Sequence, residues 1–232
     1  MSSMLEINEK AFFEQVLQKI WASPGEHFMS QATKRALKKS DIAKQFIKAS
    51  SVVYVIMAFV GFEICWWYHQ NVHALLGPVN YELGMTLGII VAAVLFLNIC
   101  QRYMELQFSS YKKFKKSLAA IFSGLNVFGA IVLALLSSVG EELLFRGAIQ
   151  PFLGVWITSF LFGLLHLDAD GNVSVWTIWA VVAGLILGAV VNVTGSLWPA
   201  IAIHFLINFI GIRGLSKIDL SAPALMQDPS TR

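Results

Sequence analysis

Residues 127–154 read VFGAIVLALLSSVGEELLFRGAIQPFLG, an apolar stretch that is interrupted near its middle by Glu141, Glu142 and Arg146. A helix of about 20 apolar residues is long enough to cross the hydrocarbon core of a bilayer. This stretch is longer than that, and the segment Pro151–Gly154 near its end favours a turn. The pattern therefore predicts a membrane helix that carries charges, followed by a second helix.

The composition of the whole chain indicates a membrane protein. Of its 232 residues, 56% are hydrophobic and only 13% are charged, and the mean hydropathy is +0.66. A soluble domain usually contains about a quarter charged residues, so much of this surface must face lipid. The formal net charge of +3 comes from basic segments beside the apolar runs, which argues against a nucleic-acid surface.

Apolar segments long enough to span, or to lie buried among spanning helices, recur along the chain. The six candidates are Ala49–Trp67, Gly84–Cys100, a helix from about Asn126, Val155–Leu167, Val175–Val193 and Leu197–Ile212. Residues 1–48 have the helical spacing of apolar and basic side chains that is typical of amphipathic helices at a membrane surface. The predicted fold class is all-α: a polytopic bundle of about six transmembrane helices with amphipathic interfacial helices at its N-terminus.

The basic residues predict the orientation of the bundle. Residues 1–48 contain eight Lys and Arg and residues 101–116 contain five, whereas the loop 68–83 contains none. The positive-inside rule places the two basic segments in the cytoplasm and the loop outside. Six spans return the C-terminus to the cytoplasm. Without a signal or transit peptide at its start, the chain is expected in a bacterial inner membrane.

Four regions follow from this organisation. Residues 1–48 form the basic interfacial segment, and residues 49–116 form a transmembrane hairpin with a basic cytoplasmic loop. Residues 117–213 form the core that contains the polar residues, entered through an interfacial start at Phe114–Leu125. The tail 214–232 is rich in Pro, Ser and polar residues and is expected to be disordered.

Few charged side chains interrupt the core. Between Ser117 and Ile212 they are Glu141, Glu142, Arg146, Asp168 and Asp170. An ionisable residue within a membrane helix costs ~2.5–3.5 kcal/mol on insertion scales and by default marks function. Glu142 and Arg146 are i,i+4 neighbours and can form a structural ion pair. Glu141 points about 100° away, which leaves it free to act as a general base.

Two histidines and an asparagine are expected to share this layer. Glu141 lies twelve residues before the turn at Leu153 and His166 lies thirteen after it, so antiparallel helices bring them to similar membrane depth. His204 and Asn208 are i,i+4 on the last helix and project from one face. A carboxylate, two imidazoles and an amide can therefore converge within the bundle.

Two chemistries fit these residues. In the first, which needs no cofactor, Glu141 and His166 activate a water while His204 and Asn208 stabilise an oxyanion. In the second, Glu141, His166 and His204 bind zinc, which activates the water. The first is favoured, because the His-Glu-x-x-His spacing is absent and no further Asp or Glu is available in the membrane layer to orient metal-binding histidines.

Three motifs in order resemble the CPBP family, which comprises CAAX prenyl endopeptidases, Abi-like bacteriocin-immunity proteins and glutamic-type intramembrane proteases. They are Glu141-Glu142-x-x-x-Arg146, Phe162-x-x-x-His166 and His204-x-x-x-Asn208, and the similarity covers about residues 120–212. The resemblance implies an intramembrane endopeptidase with Glu141 as base, Glu142 paired with Arg146, His166 beside the water, and His204 with Asn208 at the oxyanion. Both metal-dependent and metal-free mechanisms are described for this family, so a zinc site stays an alternative.

The expected partners are membrane lipid and a protein or peptide whose C-terminal segment is lipidated or hydrophobic. The alternative function is non-catalytic: a scaffold, an immunity protein, or a peptide-binding or transport protein that uses the same polar layer. Asp168 and Asp170 begin a pattern like a calcium-binding loop, but the required Gly and Glu are replaced by Val173 and Trp179. No calcium site is predicted there.

Overall fold

The structure is a computed structural model, and it describes most of the predicted bundle. The described residues are 39–69, 76–77, 79–122, 125–168 and 171–218. The predicted helices before residue 39 lie outside these ranges, as does the tail after residue 218. Disorder was predicted from residue 214, but residues 214–216 form the end of the helix Trp198–Ser216, so the tail begins later than expected. Within the described ranges all regular secondary structure is helical, which confirms the all-α fold class.

Seven α-helices and one π-helical segment make up the described part of the chain. They are α1 (Lys39–His69), α2 (Leu83–Gln107), α3 (Ser109–Phe122), α4 (Val127–Glu142), the π segment (Leu143–Ile149), α5 (Gln150–Leu164), α6 (Val175–Thr194) and α7 (Trp198–Ser216). Asn126 begins α4 as its N-cap and accepts a hydrogen bond from the Gly129 backbone N–H. Ser174 begins α6 in a capping box with Thr177.

Five stretches of the described residues are long and apolar enough to cross a membrane, where six were predicted. The difference lies in Val127–Leu164, a continuous stretch of 38 residues that contains the predicted third and fourth spans. Gly154 lies inside it with φ 72° and ψ 170°, a backbone conformation that is accessible mainly to glycine. The chain therefore bends where the Pro151–Gly154 turn was predicted, and α5 ends earlier than expected, at Leu164.

Contacts between loops support the predicted up-and-down order of the helices. The backbone N–H of Asn80, in the loop after α1, donates to the carbonyl of Thr194 at the end of α6 (2.9 Å). At the other end of the bundle, the Tyr111 ring on α3 lies 6.4 Å from the ring of Trp176 at the start of α6. Each pair joins segments that were predicted on the same membrane side. Which side faces the cytoplasm stays a prediction.

Helix α1 packs closely against α4 and the π segment at two glycines. A Cβ on Gly140 would lie 2.5 Å from the Tyr54 carbonyl oxygen, and one on Gly61 would lie 2.6 Å from the Leu144 backbone nitrogen. Such contacts are possible only without a side chain. They hold the Gly140 face of α4 against α1, so that Glu141, about 100° further around the helix, turns toward the rest of the bundle.

This packing predicts opposite effects for two glycine substitutions. Gly61→Ala should lower the free energy of unfolding by roughly 1–3 kcal/mol, the usual cost of overpacking, because the methyl group meets backbone atoms. Gly88→Ala on α2 should be neutral or stabilising by up to about 1 kcal/mol, since nothing lies within 4 Å of its added Cβ. Thermal unfolding of both variants in detergent measures the difference, and equal stabilities would contradict the packing described for α1.

Candidate active site

The ion pair predicted from the i,i+4 spacing is present. Arg146 Nη1 lies 3.0 Å from Glu142 Oε1, and both side chains are fully buried. The guanidinium also donates from Nη2 to the Gly184 carbonyl on α6 (3.2 Å) and lies over the Phe162 ring, 4.3 Å from its centroid. Arg146 is thus held by a carboxylate, a carbonyl dipole and an aromatic face, which together offset the cost of burying its charge.

The π segment begins immediately after Glu142, and the sequence patterns did not predict it. A π turn contains an extra residue and shifts the side chains that follow it around the helix axis. Arg146 reaches α6 from this segment, and Gln150, the first residue after it, does so through Nε2, which donates to the Gly188 carbonyl (3.1 Å). Gly184 and Gly188 have no side chain in the way, so the two helices approach closely enough for both hydrogen bonds.

His204 connects the two glutamates. Its Nδ1 lies 2.8 Å from Glu142 Oε1, and its Nε2 lies 3.7 Å from Glu141 Oε2. Because the charge-bearing carboxylate of Glu142 accepts, Nδ1 carries the proton, and Nε2 is turned toward Glu141. Glu141 Oε2 is buried and has no hydrogen-bond partner among the described residues. Glu142 therefore does more than pair with Arg146, since it also orients the imidazole that faces Glu141.

Asn208 lies one turn beyond His204 on α7 and contacts a residue that the sequence analysis did not consider. Its Nδ2 donates to Ser137 Oγ on α4 at 2.9 Å. Ser137 is four residues before Glu141, so the two share a helix face. That spacing is the signal through which the sequence could have included Ser137 in the site.

His166 lies at the edge of this cluster. Its Nδ1 is 2.8 Å from the Phe162 carbonyl oxygen, which requires the proton on Nδ1 and leaves Nε2 as an acceptor. The Phe162 ring contacts both imidazoles: its centroid lies 4.6 Å from the centroid of the His166 ring and 6.0 Å from that of the His204 ring. No hydrogen bond or ion pair within the described ranges joins His166 to Glu141 or His204. Four predicted residues, Glu141, Glu142, Arg146 and His204, thus lie together. Asn208 is held one turn away by Ser137, and the His166 ring contacts the Phe162 ring beside them.

The described residues do not assemble a three-residue zinc site. No group of three His, Cys, Asp or Glu side chains among them is placed to hold a metal ion. Zinc bound by Glu141, His166 and His204 stays an untested alternative. The acceptors that metal-binding histidines need are nevertheless present. Both histidines have an acceptor at Nδ1, the Phe162 carbonyl for His166 and Glu142 for His204, which is the outer-shell contact that metal-binding histidines require.

A membrane bundle with a buried carboxylate, an oriented imidazole and a neutralised arginine has the components of a hydrolytic site within the bilayer. Residues 122–210 match the family of type II CAAX prenyl endopeptidase Rce1-like proteins, and this segment contains all three motifs. The CPBP resemblance is therefore confirmed for this part of the chain, which is similar to the type II CAAX prenyl endopeptidases.

One curated relative is an uncharacterized protein, YpbD, of Bacillus subtilis (strain 168). The two sequences are 34% identical over 92 residues, which is 39% of this chain and 47% of the relative. The chain thus spans about half the length of the curated protein that it matches. No solved structure matches the chain.

The buried ion pair predicts large losses of stability when one partner is removed. Glu142→Ala and Arg146→Ala should each lower the free energy of unfolding by ~3–5 kcal/mol, because an unpaired charge is left inside the bundle. Lys115→Ala is the control: it breaks the Lys115–Glu105 pair (2.7 Å), whose side chains remain about a quarter exposed, and should cost at most about 1 kcal/mol. Thermal unfolding in detergent measures all three, and a similar loss for each variant would contradict the assignment.

Proposed function

We propose that this protein is an intramembrane endopeptidase that cleaves a peptide bond by means of a water activated by Glu141. The observation that carries the proposal is the Glu141 carboxylate: it is buried, one of its oxygens has no hydrogen-bond partner in the described part of the chain, and that oxygen lies 3.7 Å from an oriented imidazole. A buried carboxylate oxygen without a hydrogen bond is costly. A role in proton transfer during catalysis would explain why the Glu141 carboxylate is present despite this cost.

In the proposed reaction Glu141 accepts a proton from water while the water oxygen attacks the carbonyl carbon of the substrate. His166 assists, because its Nδ1–H is bound to the Phe162 carbonyl and its Nε2 is free to accept the second hydrogen bond of the water. When the tetrahedral intermediate collapses, the C–N bond breaks and Glu141 returns the proton to the departing amine. One water is consumed, and the products are a carboxylic acid and an amine, which exchange a proton to give a carboxylate and an ammonium group.

The oxyanion of the intermediate is stabilised by His204 and Asn208 in this proposal. With Nδ1–H bound to Glu142, a second proton on Nε2 makes His204 an imidazolium that can donate to the oxyanion. Asn208 contributes one N–H of its side-chain amide.

The substrate class follows from the family and from the position of the site within the bundle. We propose a protein or peptide whose scissile bond lies near its C-terminus or next to the membrane, and whose C-terminal segment is lipidated or hydrophobic. Such a segment can enter a site that is buried among membrane helices from the lipid phase. The proposed location is the bacterial inner membrane with cytoplasmic termini, and the proposed mechanism requires no cofactor.

The assignment of Glu141 predicts the loss of cleavage in Glu141→Gln. Positioned acid–base groups contribute ~10²–10⁴-fold, so turnover of a farnesylated CAAX peptide, or of the same peptide with an unprenylated hydrophobic tail, should fall by at least about 100-fold. Purified protein in nanodiscs and mass spectrometry of the products measure this. Monodispersity in detergent should be unchanged, because Gln keeps the size of the side chain.

The matched control is Glu63→Gln. Glu63 is another carboxylate in a spanning helix, but it lines an open apolar cleft with Ile64, Trp67 and Phe152. This variant should retain wild-type turnover. Glu141→Gln with more than a tenth of wild-type activity would remove Glu141 from the mechanism. Binding of both peptides without cleavage by the wild type would favour the non-catalytic alternative.

A further prediction separates the metal-free mechanism from the zinc alternative. Asn208→Ala should lower turnover by ~10²–10³-fold, the usual effect of losing one oxyanion donor, with little change in substrate affinity. Activity should survive exhaustive chelation, and active protein should contain no stoichiometric zinc by elemental analysis. About one zinc per chain that follows activity through removal and restoration would contradict the metal-free mechanism.

A further inference from the structure

We propose that Ser137 is a positioning residue that fixes the orientation of the Asn208 side-chain amide, so that an N–H and not the carbonyl oxygen faces the reacting peptide. This inference rests on the proposed function, because Asn208 is the oxyanion donor there. The hydrogen bond between Ser137 and Asn208 can also be tested without any substrate.

The hydrogen bonds of Ser137 leave its hydroxyl only one role toward Asn208. Ser137 Oγ donates its single hydrogen to the Ala134 carbonyl (3.1 Å) and is therefore an acceptor for the amide, 2.9 Å away. An acceptor at this position selects the amide nitrogen over the amide oxygen, which assigns the orientation of the amide from its hydrogen bonding. The serine is 3% exposed, so water does not compete strongly for the contact.

The contact lies next to the proposed reaction centre. Ser137 and Glu141 are one turn apart on α4, and Asn208 and His204 are one turn apart on α7. The two antiparallel helices thus face each other at two levels, with Asn208 on Ser137 at one level and His204 beside the glutamates at the next. The proposal assigns the second Nδ2–H of Asn208 to a substrate oxygen.

Without the Ser137 hydroxyl, no acceptor favours the amide nitrogen of Asn208 over its amide oxygen at this position. A rotation of 180° about χ2 exchanges the NH₂ group and the oxygen at almost no steric cost. The amide oxygen would then face the developing oxyanion, and two acceptors repel each other. A functional group that is present but not fixed by its neighbours loses much of its catalytic contribution.

The experiment compares two adjacent serines. Ser137→Ala should lower kcat by about 10-fold or more, toward the ~10²–10³-fold expected for losing the donor itself, with KM unchanged. Ser138→Ala is the matched control, because Ser138 is also buried and also donates within its own helix, to the Leu135 carbonyl (3.0 Å). It should retain wild-type kcat. Ser137→Cys, whose thiol is a weak acceptor, should resemble Ser137→Ala.

Combination with Asn208→Ala tests whether Ser137 acts through the asparagine. In that background Ser137→Ala should cause no further loss of kcat, whereas independent residues would give multiplied effects. Equal kcat values for Ser137→Ala and Ser138→Ala, or an undiminished effect of Ser137→Ala on the Asn208→Ala protein, would overturn the proposal.

A second measurement does not depend on cleavage. In protein with ¹⁵N-labelled asparagine, the side-chain amide signal of Asn208 is identified by its loss in Asn208→Ala. Its hydrogen exchange should accelerate in Ser137→Ala and stay slow in Ser138→Ala. Unchanged protection in Ser137→Ala refutes the contact even if the wild-type protein cleaves no peptide. Faster exchange supports the contact, and an inactive wild type then counts against the proposed function alone.

Discussion

The structure is organised around the burial of the Glu142–Arg146 pair. A charge inside a membrane bundle is tolerated only if its neighbours compensate for the water that it has lost. Arg146 meets this condition through a carboxylate, the Gly184 carbonyl and the Phe162 ring, and these contacts bring α4, α5 and α6 together. The small residues on α6 are a consequence, because only a helix without side chains at those positions can offer its carbonyls to Arg146.

The same pair determines the state of the neighbouring imidazole. Glu142 accepts from both Arg146 and His204 through one oxygen, which places a proton on Nδ1 of His204 and directs Nε2 toward Glu141. One glutamate is thus neutralised and used for orientation, while the other is the one that the proposed function assigns to chemistry. The division of labour between two adjacent carboxylates results from their environments, since the residues themselves are identical.

The π segment connects this electrostatic core to the helix packing. It follows Glu142 directly and allows Arg146 and Gln150 to bond carbonyls that are themselves four residues apart on α6. Segments of this kind are uncommon and often occur at functional sites. On the other face, Gly61 and Gly140 let α1 approach the same region. The polar layer is therefore enclosed by close backbone contacts on two sides, which limits the movement of its side chains.

Much of this protein was determined by the sequence alone. The apolar runs predict the helices because a bilayer leaves the backbone no other way to satisfy its hydrogen bonds, and the i,i+4 spacing predicts the Glu142–Arg146 pair because it depends on local helix geometry. Three features required the tertiary structure: the π segment, the bond from His204 to Glu142, and the bond from Asn208 to Ser137. Each depends on the rotation and separation of two helices that are distant in sequence. Helix periodicity predicts which residues share a face of one helix. Which faces of two helices meet depends on the packing of the glycines against neighbouring backbones.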